Sequence, residues 1–190
     1  MSTYQPTVWR TCRALANKQR LQCLEKVLKT PGTNVAEIAR LCRIRPNQAS
    51  MSLRTLQARG LILSVRESRW VRYYPQADPI VPSAGPILAG MSRALLTDRM
   101  AHADVLRCLT AFTHPRRLTI LSLLRPRSPV PFAELSRKSQ VSPMALSRHL
   151  LKLQKRGLIA TDGEGNWTLL PPPTPLAVVF LNVLATARGV

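Results

Sequence analysis

The chain aligns with itself at one constant offset of 97 residues without a gap, and this internal repeat limits its possible folds more than any other feature. Ala36-Glu37-Ile38-Ala39-Arg40 falls on Ala133-Glu134-Leu135-Ser136-Arg137. Leu56-Gln57-Ala58-Arg59-Gly60-Leu61-Ile62 falls on Leu153-Gln154-Lys155-Arg156-Gly157-Leu158-Ile159, and Trp70 falls on Trp167. Of the 61 aligned pairs from Arg10 to Trp70, 19 are identical. A 190-residue chain built this way holds two small units, and each needs a compact, economical core.

Periodicity gives both copies the same order of elements. Leu21, Leu24, Val27 and Leu28 form an apolar helical stripe that ends at the breaker pair Pro31-Gly32. A short helix is expected from Val35 to Cys42. After Arg43-Ile44-Arg45 a longer helix runs from Pro46, where the missing N–H costs little, to Arg59, with Gly60 as its stop. The period then changes to that of strands, with Leu61 to Val65 and Trp70 to Tyr74 flanking a turn. The second copy repeats this as helices at Arg116 to Leu124, Phe132 to Lys138 and Pro143 to Arg156, then a hairpin through Asp162-Gly163-Glu164-Gly165-Asn166. Three helices and a hairpin describe a winged helix. The fold class expected is therefore mainly α with small β-wings, as two tandem winged helix-turn-helix domains. The first spans residues 1–86, including a stiff Pro-rich linker from Pro75 to Pro86. The second spans residues 87–190, with helices at Ile87 to Leu96 and Ala101 to Ala111 before it and one at Thr174 to Arg188 after it.

The charge balance narrows the partner. Lys and Arg number 28 against 9 Asp and Glu, for a formal net charge of +19. Divided at Pro86, the halves carry 14 basic and 4 acidic, and 14 basic and 5 acidic residues, so neither is a mere basic tail. Such a surface attracts polyanions, nucleic acid being expected about twice as readily as an anionic membrane surface, and the winged-helix pattern makes double-stranded DNA the expected partner. No apolar run approaches the roughly 20 residues that a bilayer span requires. With no apolar signal core at Met1 to Arg10, the sequence reads as cytoplasmic, with no membrane partner. Cys12, Cys23, Cys42 and Cys108 show no CxxC or CxC spacing and read as reduced core residues.

Phe112-Thr113-His114-Pro115-Arg116-Arg117-Leu118-Thr119-Ile120-Leu121 and Leu146-Ser147-Arg148-His149-Leu150-Leu151-Lys152-Leu153 with Gly157-Leu158-Ile159 resemble motifs of one family. Both copies are similar to the winged helix-turn-helix domain of the ArsR family of bacterial repressors. In the first copy Arg69-Trp70-Val71-Arg72-Tyr73-Tyr74 resembles that family's wing strand. The resemblance implies DNA binding and repression. Its members usually carry one such domain and act as dimers that pack through terminal helices, so the duplicated chain departs from the pattern and implies a covalently joined pseudo-dimer, with a homodimer not excluded. The family's Cys-x-Cys metal pair is absent from Val35-Ala36-Glu37-Ile38-Ala39-Arg40-Leu41-Cys42. Asp98, His102 and Asp104 stand where a second family site would draw ligands, but they are a poor zinc set, so neither metal nor cofactor is expected.

Sequence is read in the major groove by side chains that hydrogen-bond to base edges. In the first copy Asn47, Gln48, Ser50, Met51 and Arg54 lie between the apolar positions Ala49, Leu53 and Leu56 and should project outward. The second copy offers Met144, Ser147, Arg148, His149 and Lys152. Arg43, Arg45, Arg59, Arg66, Arg69 and Arg72 are the phosphate-contact candidates of copy one, and Lys155 and Arg156 those of copy two. Trp70 and Trp167, at matched positions, should pack each wing onto its helices. The wings differ, since the first carries Arg66, Arg69 and Arg72 whereas the second carries Asp162 and Glu164. No paired carboxylates, Gly-rich phosphate loop or nucleophile with a nearby His is present, so the chain is not expected to be an enzyme. The reading is a sequence-specific transcriptional regulator, with a non-specific architectural DNA-binding protein as the alternative.

Overall fold

The computed structural model describes residues 7–126 and 129–186. Helices α1 (Val8–Leu15), α2 (Lys18–Lys29), α3 (Val35–Cys42) and α4 (Pro46–Gln57) are followed by strands β2 (Leu63–Glu67) and β3 (Trp70–Tyr74), with a two-residue strand β1 (Thr33–Asn34) just before α3. Helix α5 (Ala84–Ser92) continues into a π-helical turn at Arg93–Thr97. The order then recurs as α6 (His102–Leu109), α7 (Pro115–Leu123), β4 (Val130–Pro131), α8 (Phe132–Ser139), α9 (Pro143–Gln154), β5 (Ile159–Thr161) and β6 (Asn166–Leu169), closed by α10 (Pro175–Thr186). Starts of α3 and α8, and of α4 and α9, are 97 residues apart, like the repeat itself.

Local chemistry explains why these segments begin and end where they do. Asn17 caps α2 by accepting from the Arg20 amide at 3.0 Å, and the matched His114 ring accepts from the Arg116 amide at 3.2 Å at the head of α7. Asn34 and Glu37 form a reciprocal capping box on α3. The turns that follow α3 and α8 pass through left-handed residues at matched positions, Arg43 and Gln140, both with φ of 53°. Proline opens both α4 and α9. The buried guanidinium of Arg117 donates to the carbonyls of Ala111 at 2.7 Å and Thr110 at 2.8 Å, and its counterpart Arg20 donates to the matched carbonyl of Ala14.

Each hairpin gains a third strand, giving two antiparallel sheets ordered β1-β3-β2 and β4-β6-β5. The sheets differ in register. β1 pairs Thr33 with Tyr73 and Asn34 with Arg72, whereas β4 pairs Val130 with Trp167 and Pro131 with Asn166. The third strand of the second sheet therefore lies three residues nearer the hairpin tip. Trp167 gains a neighbouring strand and is half-buried against the core, while Trp70 pairs only with Glu67 at the tip. Trp70 is 45% exposed, with Arg69 over its ring at 5.5 Å, so it does not pack the first wing onto its helices. That corrects the expectation drawn from the matched tryptophans.

A single apolar cluster runs through both halves of the repeat. Helix α5 begins at Ala84, inside the Pro-rich segment, and lies against α10 so closely that a Cβ at Gly90 would sit 2.8 Å from Val179 Cγ1. Phe112 and Phe180 stack at 5.2 Å beside this crossing. Glu25 on α2 meets His102 on α6 at 2.8 Å, adding a polar tie between the halves. The mean apolar character of α5 and α10 is thus satisfied within one chain, where each covers the other.

Candidate nucleic-acid interface

Helix α4 buries Ala49, Leu53 and Leu56 completely, which turns Asn47, Gln48, Met51 and Arg54 outward on the opposite face. Ser50 is half-buried at the edge of that face. Met51 is 69% exposed. The first turn is partly committed to holding the helix, because Gln48 Oε1 accepts from the Arg45 amide at 3.1 Å and Asn47 Oδ1 from the Gln48 amide at 2.8 Å. Arg43 and Arg45, in the turn before α4, are exposed, and Arg59 beyond its end is half-buried.

Helix α9 repeats the arrangement with different chemistry. Leu146, Leu150 and Leu153 are buried, and Met144, Ser147, Arg148, Leu151 and Lys152 face out. Ser147 donates its hydroxyl to the Pro143 carbonyl at 3.0 Å, and Arg148 Nη2 lies 3.6 Å from Met144 Sδ. Leu151, where the first unit has Arg54, is 50% exposed.

His149 is not on this outer face. Its ring lies against His114 at 4.6 Å between α9 and the head of α7, with Nδ1 buried and without a hydrogen-bond partner. Burial, then the neighbouring His114, Arg117, Arg116 and Lys152, pulls its pKa down to about 4, so the ring is neutral at physiological pH. The ring thus packs between helices and stands off the outer face on which a DNA contact was expected. Arg156 is likewise turned away from a backbone role: its Nε and Nη2 both donate to Thr110 Oγ1, at 3.2 and 3.1 Å. Lys155 remains exposed.

In the first wing only two of the three arginines are presented outward. Arg66 and Arg69 are exposed at the tip, with Arg66 Nε 3.5 Å from the Ser68 carbonyl. Arg72 instead forms an ion pair with Glu67 at 2.7 Å and donates to the Gly32 carbonyl at 2.7 Å, and Tyr74 donates its hydroxyl to the same Glu67 at 2.7 Å. Arg72 is therefore a brace within the sheet. The second wing closes its longer turn differently, with Asp162 Oδ1 accepting from the amides of Glu164 at 2.9 Å and Asn166 at 3.1 Å. The Asn166 side chain adds the largest push holding the Asp162 carboxyl below its usual range, so this tip stays anionic.

The periodicity reading missed one contributor. Helix α1 brings Arg13 to the second unit, where Arg13, His114, Arg117 and Lys152 line an open cationic hollow of about 390 Å³. The signal was present, since Val8, Thr11, Cys12 and Leu15 have the i, i+3, i+4, i+7 spacing of a buried helix stripe. Among the described residues no group of three or more His, Cys, Asp and Glu gathers in a metal-holding arrangement. Of the metal candidates, His102 is paired with Glu25 and Asp98 with Arg93 at 3.5 Å. No helix among the described residues is long and apolar enough to cross a membrane.

Comparison with known proteins adds a family to this geometry. No curated protein matches the chain. Residues 114–161, from the capping His114 through α7, α8 and α9 to the end of β5, match the family model described as bacterial regulatory protein, arsR family. Residues 114–161 are thus similar to an ArsR-family helix-turn-helix, which supports DNA binding and transcription regulation.

Proposed function

We propose that the chain is a transcriptional repressor made of two winged helix-turn-helix units in tandem, and that one chain reads one asymmetric DNA site with α4 and α9. The observation that carries this reading is the pair of equal-length, proline-headed helices, Pro46–Gln57 and Pro143–Gln154, each with a buried apolar face and a differently furnished outer face. Asn47, Met51 and Arg54 on one correspond to Met144, Arg148 and Leu151 on the other. Arg can pair in bidentate fashion with guanine and Asn with adenine, whereas exposed Met and Leu favour the thymine methyl. The two half-sites therefore differ. Arg43, Arg45, Arg66, Arg69, Lys152 and Lys155 supply backbone contacts that fix the register. The packing of α5 on α10 supports a fixed spacing between the reading helices without a second chain. Repression follows by occlusion of the bound site, in a protein that acts by no chemistry of its own and works in the cytoplasm.

Selection of bound duplexes from a random library tests this. The expected result is one enriched, non-palindromic motif covering two successive major grooves, bound roughly a thousandfold or more tighter than random DNA. Binding of all duplexes alike, with a steep salt dependence, would instead make the chain an architectural DNA-coating protein.

A further inference from the structure

The two units differ in what closes over the glycine that ends the long helix. Behind α4, Gly60 (φ +69°) is overlain by the chain that follows the first wing. A Cβ there would meet Val81 Cγ2 at 3.0 Å and Asp78 Cβ at 3.2 Å, and the Asp78 amide donates to the Gly60 carbonyl at 2.9 Å. Behind α9, Gly157 has the same φ of +69°, yet the nearest atoms are those of the Pro173 ring at 3.9 Å. The residue that matches Val81 is Val178, which is 39% exposed on α10 where Val81 is 8% exposed. The chain leaves the second wing directly into α10 at Pro175 and does not fold back over Gly157.

What remains is a cavity of about 330 Å³ at the junction of α6, the end of α9 and the start of α10, within the size range of small-ligand pockets. Its apolar wall is formed by Phe112, Leu158 and Ala177. The thiol of Cys108 adds to this wall as a neutral group, since burial pushes its pKa up to about 11. Arg107, Arg156 and one carboxylate, Asp104, also belong to the lining, and both arginines border the adjoining open hollow with Thr110 and Lys155. Arg107 Nη2 reaches the Lys155 carbonyl at only 3.4 Å, and Arg156 places two N–H groups on the single Thr110 hydroxyl oxygen. Among the described residues neither arginine forms an ion pair. Two guanidiniums with donors to spare beside a small apolar hollow are the recognition elements for a planar acid.

We infer that this cavity binds a small aryl monocarboxylate, with its ring against Cys108 and Pro173 and its carboxylate between Arg107 and Arg156. The site belongs to the second unit alone, because in the first the corresponding space is filled by residues 78–81. It is lined by Arg156, Gly157 and Leu158, so an occupant touches the turn that joins α9 to β5.

The test is calorimetric titration of the full chain with phenylacetate and with its neutral counterpart phenylacetamide, paired with amide NMR shifts, all without DNA. One site per chain is expected, with a Kd of about 1 mM or tighter and shifts centred on Cys108, Gly157 and Ala177. The amide, and the exposed-residue variant Arg107→Gln, should each bind the site about tenfold more weakly, and Asp104→Asn should bind phenylacetate more tightly. Filling the hollow with Cys108→Leu should abolish binding, with retained thermal unfolding as the check on its fold. Absence of saturable binding, equal affinity for acid and amide, or undiminished binding by Arg107→Gln would overturn the inference. Because no DNA is present, such a failure would leave the proposed DNA reading standing, and failure of DNA binding would leave this site standing.

Discussion

In the proposed reading, Arg54 is the exposed side chain of α4 that most sharply distinguishes base pairs. It is exposed and lies one turn beyond Ser50 and Met51, on the face opposite the buried Leu53 and Leu56. Arg54→Ala should relax base preference and cost about 1–3 kcal/mol of specific binding, measured by affinity for the selected site and its single-base variants. Uniform weakening on all sequences would make it a backbone contact. His149 supplies a prediction of another kind. Its pKa in the folded chain, about 4, lies below the roughly 6.5 of an unfolded chain, so the unfolded state binds the proton more tightly. The stability tied to its neutral form is fully present above about pH 6.5 and is lost progressively as pH falls toward 4. The groups facing it, His114, Arg116, Arg117 and Lys152, push the same way, and His114 is itself lowered, by burial first. His149→Ser, the residue the first unit has at the matched Ser52, should flatten the fall in urea-unfolding stability between pH 7 and 5 by roughly 0.5–1 kcal/mol, allowing for solvent screening of a partly exposed ring. An unchanged pH slope would refute this account of the pair.

At the scale of elements the two wings are unequal tools. The first ends in Arg66 and Arg69, while Arg72, Glu67 and Tyr74 lock its strands together. Replacing Arg66 and Arg69 with Gln should lower the magnitude of the log-affinity against log-salt slope by up to about 1.8, at about 0.9 per phosphate contact. Replacing Arg72 should leave that slope nearly intact and instead weaken the fold, which separates a brace from a contact. The helices at α3, α4, α8 and α9 fall where apolar spacing and proline positions put them, because those signals are local and strong. Strands β1 and β4, at two residues each, are too short to carry a period, and their three-residue difference in register is a tertiary fact. That difference decides the fates of Trp70 and Trp167, which identical residues at matched positions could not reveal. Arg72 and Arg156 read as contacts because they are cationic. Only the folded chain brings Glu67 and Gly32 to the first and Thr110 to the second. The inward turn of His149 depends in the same way on His114, 35 residues earlier in the chain.

For the whole molecule the decisive contact is the crossing of α5 and α10. Gly90 is buried there, and any side chain meets Val179 below normal contact distance. Gly90→Val should therefore cost about 1–3 kcal/mol by overpacking, read as a lower Tm. Since one apolar cluster joins both halves, that loss should appear in a single cooperative unfolding transition. Two separate transitions in the parent chain would mean that the halves fold as independent units. The same crossing gives the account its central claim, that two different reading helices are held at fixed spacing by one chain. Sedimentation of the complex on a selected duplex tests it most directly. One chain on one duplex is expected, with an asymmetric footprint over two successive major grooves. Two chains on a palindromic footprint would contradict it.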